Sequence, residues 1–142
     1  MSLNMSSTER EAFLAGVHVG VLAVAGGDGR GPLTTPVWYG YQPGGKVSVN
    51  TGGESHKARA IAAAGRFSLC VQDEAPPYKY VTVEGPAVME PAELAERTAI
   101  ARRYLGPERG DAFIAANPDV DNVIIRMTPE HWQTADFGKD AG

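Results

Sequence analysis

The chain has 142 residues, the length of one ordinary domain and too short for two. Its 43% hydrophobic residues can fill a core, while 13 Lys and Arg against 17 Asp and Glu leave a net charge of −4, which excludes a general polyanion binder. Seventeen glycines and ten prolines suit turns and not helix interiors, so composition excludes an all-helical bundle and favours many short strands.

Residues 1–7, with a second methionine at Met5, read as a disordered N-terminus or an addition ahead of the natural start. Thr8-Glu9-Arg10-Glu11 fits a capping box with Thr8 at the N-cap, which predicts a short helix to about Gly16. The apolar run over 13–25 follows Glu9 and Glu11 instead of basic residues, and it falls short of the ~20 residues a membrane span needs. A soluble cytoplasmic protein without membrane association is therefore expected. Within the run, Val17, Val19 and Val21 alternate with other residues and predict a strand to about Ala25. The glycine-rich turn over 26–31 lacks the lysine and following helix of a phosphate loop and reads as a hairpin connection.

Residues 33–41 form a second strand, which Pro36 restricts to an edge or a bulge. A turn over 42–45 leads to a third strand, Lys46 to Thr51. Ser55 to Ala64 is a helix of strong formers closed by Gly65, and Arg66 to Gln72 is the next strand. The single cysteine, Cys70, can form no internal disulfide and reads as a small core side chain of that strand. Tyr78 to Met89 is a long strand with a bend at Gly85-Pro86. Pro91 opens a helix to Leu105, and Glu108 to Ala116 forms another. Asp121 to Met127 and His131 to Ala135 read as strands, and 136–142 as a flexible tail. The expected fold is α+β and mainly β, one domain over 8–135 built around a small barrel.

The densest chemical signal lies in Asn50-Thr51-Gly52-Gly53-Glu54-Ser55-His56-Lys57-Ala58-Arg59. A strand ends there and a capped helix begins, so free N–H groups and the positive end of the helix dipole converge. Lys57 and Arg59 in the first turn oppose that dipole unless an anion joins them, and phosphate is the natural candidate. Aromatic residues form the second signal. At period two, Tyr39 and Tyr41 share one face and Trp38 the other, while Tyr78 and Tyr80 share a face of a later strand and Trp132 sits near the C-terminus. A flat, ring-bearing phosphate ligand fits both signals. His18, His56 and His131 show no metal-ligand spacing, no nucleophile elbow or carboxylate dyad is legible, and no nucleic-acid motif accompanies the basic residues.

Thr35-Pro36-Val37-Trp38-Tyr39, Val47-Ser48-Val49-Asn50-Thr51, Ser55-His56-Lys57, Arg66-Phe67-Ser68-Leu69 and Val81-Thr82-Val83-Glu84-Gly85 occur in an order that resembles the pyridoxamine 5′-phosphate oxidase-related split-barrel flavoproteins. The resemblance implies a six-stranded antiparallel split β-barrel with short flanking helices, paired as a homodimer with FMN or the deazaflavin F420 at the subunit interface. It further implies that Ser55 and Lys57, with Arg59, hold the cofactor phosphate. Pro36, Val37, Trp38 and Tyr39 would lie along the ring, Asn50 and Thr51 would contact the ribityl chain, and Tyr78, Tyr80 and Trp132 would come from the second subunit. The implied activity is hydride transfer to or from a small organic substrate, with Tyr39 or Tyr78 as candidate proton donor and no metal. A non-catalytic flavin-binding or storage protein and a pyridoxamine 5′-phosphate oxidase-like FMN enzyme stand as alternatives. The true oxidase is disfavoured because Gln133-Thr134-Ala135-Asp136 follows Trp132 where its Trp-x-x-x-Arg segment would be. An Ala- and Arg-rich composition tilts the cofactor toward F420.

Overall fold

The computed structural model describes residues 2–118 and 121–140. Helix α1 (Ser7–Ala15) is followed by strands β1 (Gly20–Val24), β2 (Leu33–Val37) and β3 (Val47–Gly52), then α2 (His56–Ala64), β4 (Arg66–Asp73) and β5 (Lys79–Pro91). Helices α3 (Leu94–Leu105) and α4 (Pro107–Ala116) form a hairpin ahead of β6 (Asn122–Met127) and β7 (His131–Asp136), and a short 3₁₀ turn covers Phe137–Asp140. All pairings are antiparallel, in the order β2-β1-β4-β5-β6-β3, with β7 added alongside β5. The six strands on this path make the expected split barrel. The seventh is the short C-terminal strand.

Two features curl the sheet. The first is β5, whose Lys79–Glu84 segment pairs β7 and whose Ala87–Pro91 segment pairs β6. Between those registers Gly85 and Pro86 face three residues, Thr128, Pro129 and Glu130, so one extra residue bulges on the β6–β7 side. Gly85 is needed there because a Cβ would overlap the Thr128 carbonyl oxygen and come within 2.8 Å of its carbon. The second is a lone bridge, Gly40 to Ser48, that joins the chain after β2 to β3 through N–H···O bonds of 2.8 and 2.9 Å. Pro36 sits on the edge strand β2, opposite Val21, where its missing N–H leaves no gap in the sheet interior.

Alternation fills the barrel. Val37, Tyr39, Tyr41, Val47, Val49, Phe67, Leu69, Val71, Val81, Val83, Ile125 and Met127 point inward, and Leu14 of α1 and Ile61 of α2 cover the ends of the cluster. Cys70 is not part of it: between the inward Leu69 and Val71 it is half-buried on the outer face of β4. Strand β1 starts at Gly20 where Val17 was expected, β2 ends at Val37 where residue 41 was expected, and three further boundaries differ from the sequence expectation. The capping box of α1 uses Ser6 and Glu9, two residues earlier, because Ser6 Oγ accepts from Glu9 N at 3.1 Å while Glu9 accepts from Ser6 N at 2.8 Å. Pro91 ends β5 opposite Val123 and does not open α3, whose N-cap is Glu93.

The third concerns the ends of the chain. Leu3 O accepts from Asp136 N at 2.8 Å, Met5 N donates to Thr134 Oγ1 at 2.9 Å, and Lys139 Nζ donates to Asn4 O and Glu9 Oε1 at 3.0 and 2.8 Å. Residues 3–5 and 136–139 thus hold each other against β7, where a loose start and a loose tail were expected. Among the described residues no helix is long and apolar enough to cross a membrane.

Arg126 on β6 ties the barrel to α3. Its Nη1 and Nη2 donate to the two Glu96 oxygens at 2.6 and 2.7 Å, and its Nε donates to Glu90 at 2.8 Å. The hydrogen bonds from Arg126 hold the Glu96 carboxyl below its ordinary value of 4.5. A carboxylate with a depressed folded pKa stabilises fully above the unfolded value, and that contribution is lost as pH falls through the folded one. For this partly exposed pair it is about 1 kcal/mol. The melting-temperature advantage of the wild type over Glu96→Gln is therefore expected to be constant above about pH 5 and to shrink steadily in more acid buffer. An advantage independent of pH would show that the ion pair contributes nothing.

Candidate functional site

The site is built on the residues that leave β2. Val37, Tyr39 and Tyr41 are buried in the barrel, so Trp38 between them is turned out of it. Its ring stacks on Tyr104 of α3 at 5.1 Å and 6°, and meets Phe113 of α4 at 5.3 Å and 52°. Tyr104 is itself fixed by the backbone on both sides, accepting from Tyr39 N at 3.1 Å and donating to His18 O at 2.7 Å. The helical hairpin thus clamps Trp38 in one orientation.

Two cavities meet at this ring. One of about 350 Å³ is lined by Val19, Pro36, Val37, Trp38, Asn50, Lys57 and Phe113. The other, about 440 Å³, shares Trp38, Asn50 and Phe113 and is completed by residues of α3 and α4, among them Arg97, and by Asn117, Pro118 and Asn122 beyond α4. Asn50 is held between them by donating from Nδ2 to Asn122 Oδ1 and Val123 O, each at 3.1 Å.

The start of α2 forms one end of the smaller cavity. Gly53 N donates to Asp121 O at 2.7 Å and Ser55 N to Gly52 O at 3.1 Å, which closes the turn. Neither Gly52 nor Gly53 takes a positive φ; what Gly53 needs is room, since a Cβ would lie 3.2 Å from the Asp121 carboxylate. Ser55 Oγ accepts from Ala58 N at 3.2 Å and lies 3.2 Å from Thr51 Oγ1. Of the four amides that a helix start leaves without intrahelical acceptors, those of His56 and Lys57 are not taken up by this turn. The first turn has no acidic residue, and among the described residues no carboxylate pairs with Lys57. A cation and two amides beside an aromatic shelf suit an anion attached to a flat ring.

The fold thus brings Pro36, Val37, Trp38, Asn50 and Lys57 to one cleft, with Thr51 and Ser55 in the turn behind it. Tyr39 does not belong to it. It is fully buried, its hydroxyl donates to Leu14 O at 2.6 Å, and burial pushes its pKa well above the usual phenol range, so its side chain points into the barrel and away from the cleft. Arg59 is exposed and outside the lining. Tyr78 and Tyr80, at the start of β5, do not reach the cleft within one chain, and Trp132 lies in a separate cavity under the Arg10 guanidinium, 4.5 Å from its ring. Sequence reasoning missed Val19, Phe113, Arg97 and Asn117. Among the described residues no group of His, Cys, Asp or Glu is arranged to hold a metal ion.

A sequence model of the family described as pyridoxamine 5′-phosphate oxidase matches residues 6–136. No curated protein sequence matches the chain. Among solved structures, a conserved hypothetical protein from Mycobacterium tuberculosis aligns with a TM-score of 0.82 at 24% identity, over 99% of this chain and 91% of that one. An F420 reductase aligns with a TM-score of 0.66 at 24% identity, over 87% and 94% of the two chains. A FAD-binding protein from Mesorhizobium loti gives 0.65 at 21% identity, over 92% and 94%. At these identities the likeness is one of fold.

Proposed function

The chain belongs to the pyridoxamine 5′-phosphate oxidase family, and from that premise we propose that it is an oxidoreductase using FMN or F420 on a small organic substrate. The observation that carries this reading is the cleft in which Lys57 and the free amides of α2 stand beside Trp38. Lys57, with the His56 and Lys57 amides, would bind the cofactor phosphate. Ser55 and Thr51 would hold the turn in shape, and Pro36 and Trp38 would flank the ring. Arg59 would add charge from outside the lining. When bound, the cofactor supplies hydride transfer; the chain supplies position and shields the ring from water. The family's name-giving oxidation is not the activity proposed, because Gln133-Thr134-Ala135-Asp136 follows Trp132.

The same reading includes a homodimer. Val17, Val19 and Val21 are exposed, and the outer face of β1 and β4 carries an open, mainly apolar hollow lined by Val19, Val21, Pro36 and Cys70 together with His18, Gln72 and Glu74. Val19 and Pro36 also line the cleft, so a second copy laid on this apolar face would close it from outside. The family resemblance has that copy supply Tyr78, Tyr80 and Trp132, which one chain keeps away from the cleft.

Parallel calorimetric titrations with FMN and F420, with molar mass followed by light scattering, test the proposal. One cofactor is expected to saturate equimolar with chain, on a dimer. Binding of neither would overturn the reading. Tight binding without turnover of quinones, enones or nitroaromatics would favour the storage alternative.

A further inference from the structure

Arg97 of α3 is a buried charge. It is 4% exposed, its Nη2 donates to Asn117 O at 2.8 Å at the end of α4, and its Nε has no hydrogen-bond partner. No carboxylate pairs with it among the described residues. Withdrawing a guanidinium from water is strongly unfavourable unless acceptors meet its fork, and one carbonyl answers only part of it. Arg10 and Arg103 also have a buried unpartnered Nε, but each lies over aromatic rings: Arg10 over Trp132, Arg103 over Tyr39 and Tyr104. Arg97 instead lines the 440 Å³ cavity, together with Trp38, Asn50 and Phe113.

We propose that this cavity receives a small planar organic acid, with its carboxylate on the Arg97 guanidinium and its apolar body against Trp38 and Phe113. A guanidinium presents parallel N–H donors that match two carboxylate oxygens, and on Arg97 the Asn117 carbonyl takes up only one of them. Arg97 is the one cation among the described residues lining the cavity, which suits a singly charged carboxylate better than a phosphate dianion. Because the cavity shares Trp38, Asn50 and Phe113 with the cleft assigned to the cofactor, the acid would lie beside the ring as substrate. In that last respect the inference rests on the function proposed above. Carboxylate binding itself does not.

The test uses the purified full chain, first without and then with saturating FMN or F420, so that failure of acid capture and failure of cofactor binding are read separately. Benzoate is the probe, benzamide its neutral counterpart and inorganic phosphate the competing anion. Benzoate is expected to shift the Trp38 indole and Asn50 amide resonances, benzamide to bind at least about tenfold more weakly, and phosphate not to displace it. Arg97→Met is expected to abolish benzoate binding while the melting temperature stays level or rises, since an unpaired buried charge has been removed. Arg97→Lys, which keeps the charge without the fork, is expected to weaken binding about tenfold, and it carries the test if Arg97→Met fails to fold. Equal binding of benzoate and benzamide, or unchanged benzoate binding in the Arg97 variants, would leave Arg97 as a cap on α4 and overturn the proposal.

Discussion

Gly85→Ala is expected to destabilise the protein by about 3 kcal/mol or more, a large part of the stability of a domain this size. The added Cβ would meet the Thr128 carbonyl, a backbone group whose position is fixed by the bonds on either side of it: Thr128 N donates to Pro86 O at 2.9 Å, and Glu130 N to Glu84 O at 2.8 Å. Relief therefore requires moving β5 away from the bulge, which loosens the pairing with β6 on one side of the bend and with β7 on the other. Urea unfolding measures this directly. Gly31→Ala is the control, because nothing lies within 4 Å of a Cβ there, and its unfolding free energy should match the wild type within about 0.5 kcal/mol. If the two variants unfold alike, the bend at Gly85 does not depend on the missing side chain.

That glycine also shows which parts of the architecture a reader of the sequence can reach. Gly85-Pro86 inside a long run of β-formers signals a bend because the two residues interrupt a strand locally. The hairpin turn over 26–31, the Ser55 cap and the Gly65 stop of α2 are equally local, and the structure has all of them, with Gly65 at φ 76°. Pro91 misleads for the converse reason. A proline before a helical pattern is a reasonable helix start, but the pairing of Pro91 with Val123 lies across the sheet and leaves no mark nearby. The Ser6 cap fails to show because Ser6, Ser7 and Thr8 are all capping types, and the choice among them is made when Met5 and Leu3 bind β7.

The candidate site divides along the same line. Its β2–α2 half consists of residues whose roles follow from local pattern: a turned-out Trp38 between buried neighbours and a lysine at the second position of a capped helix. Alternation already separates Tyr39 from Trp38, so a site that includes both side chains contradicts the strand it is built on. The α3–α4 half is different in kind. Phe113 and Arg97 reach Trp38's cavities only because the helical hairpin folds back over the barrel, at Gly106 with φ 84° and at Gly110, where a Cβ would come within 2.8 Å of Arg102 Cα. Nothing in the spacing of 94–116 says which strand that hairpin covers. A buried arginine is especially hard to foresee, because Arg97 reads as a polar residue of an amphipathic helix until its surroundings are known.

Lys57→Ala is expected to weaken cofactor binding about 10- to 100-fold, the equivalent of one hydrogen bond to a charged group at about 1.5–3 kcal/mol. The same substitution should leave stability level or slightly higher. Lys57 stands in the first turn of α2, where a positive charge opposes the helix dipole by about 0.3–1 kcal/mol, and no carboxylate among the described residues relieves it. Opposite signs in binding and stability distinguish a ligand-binding lysine from a structural one, whose loss would lower both. Titration of the variant with whichever cofactor the wild type prefers, beside a thermal melt without cofactor, gives the two numbers. Lys57→Arg should recover most of the affinity, because a guanidinium also binds phosphate, and raised salt should weaken wild-type binding more than that of Lys57→Ala. An affinity unchanged in Lys57→Ala, with the fold intact, would remove Lys57 from the phosphate site and leave the α2 amides as its only anchor on this chain.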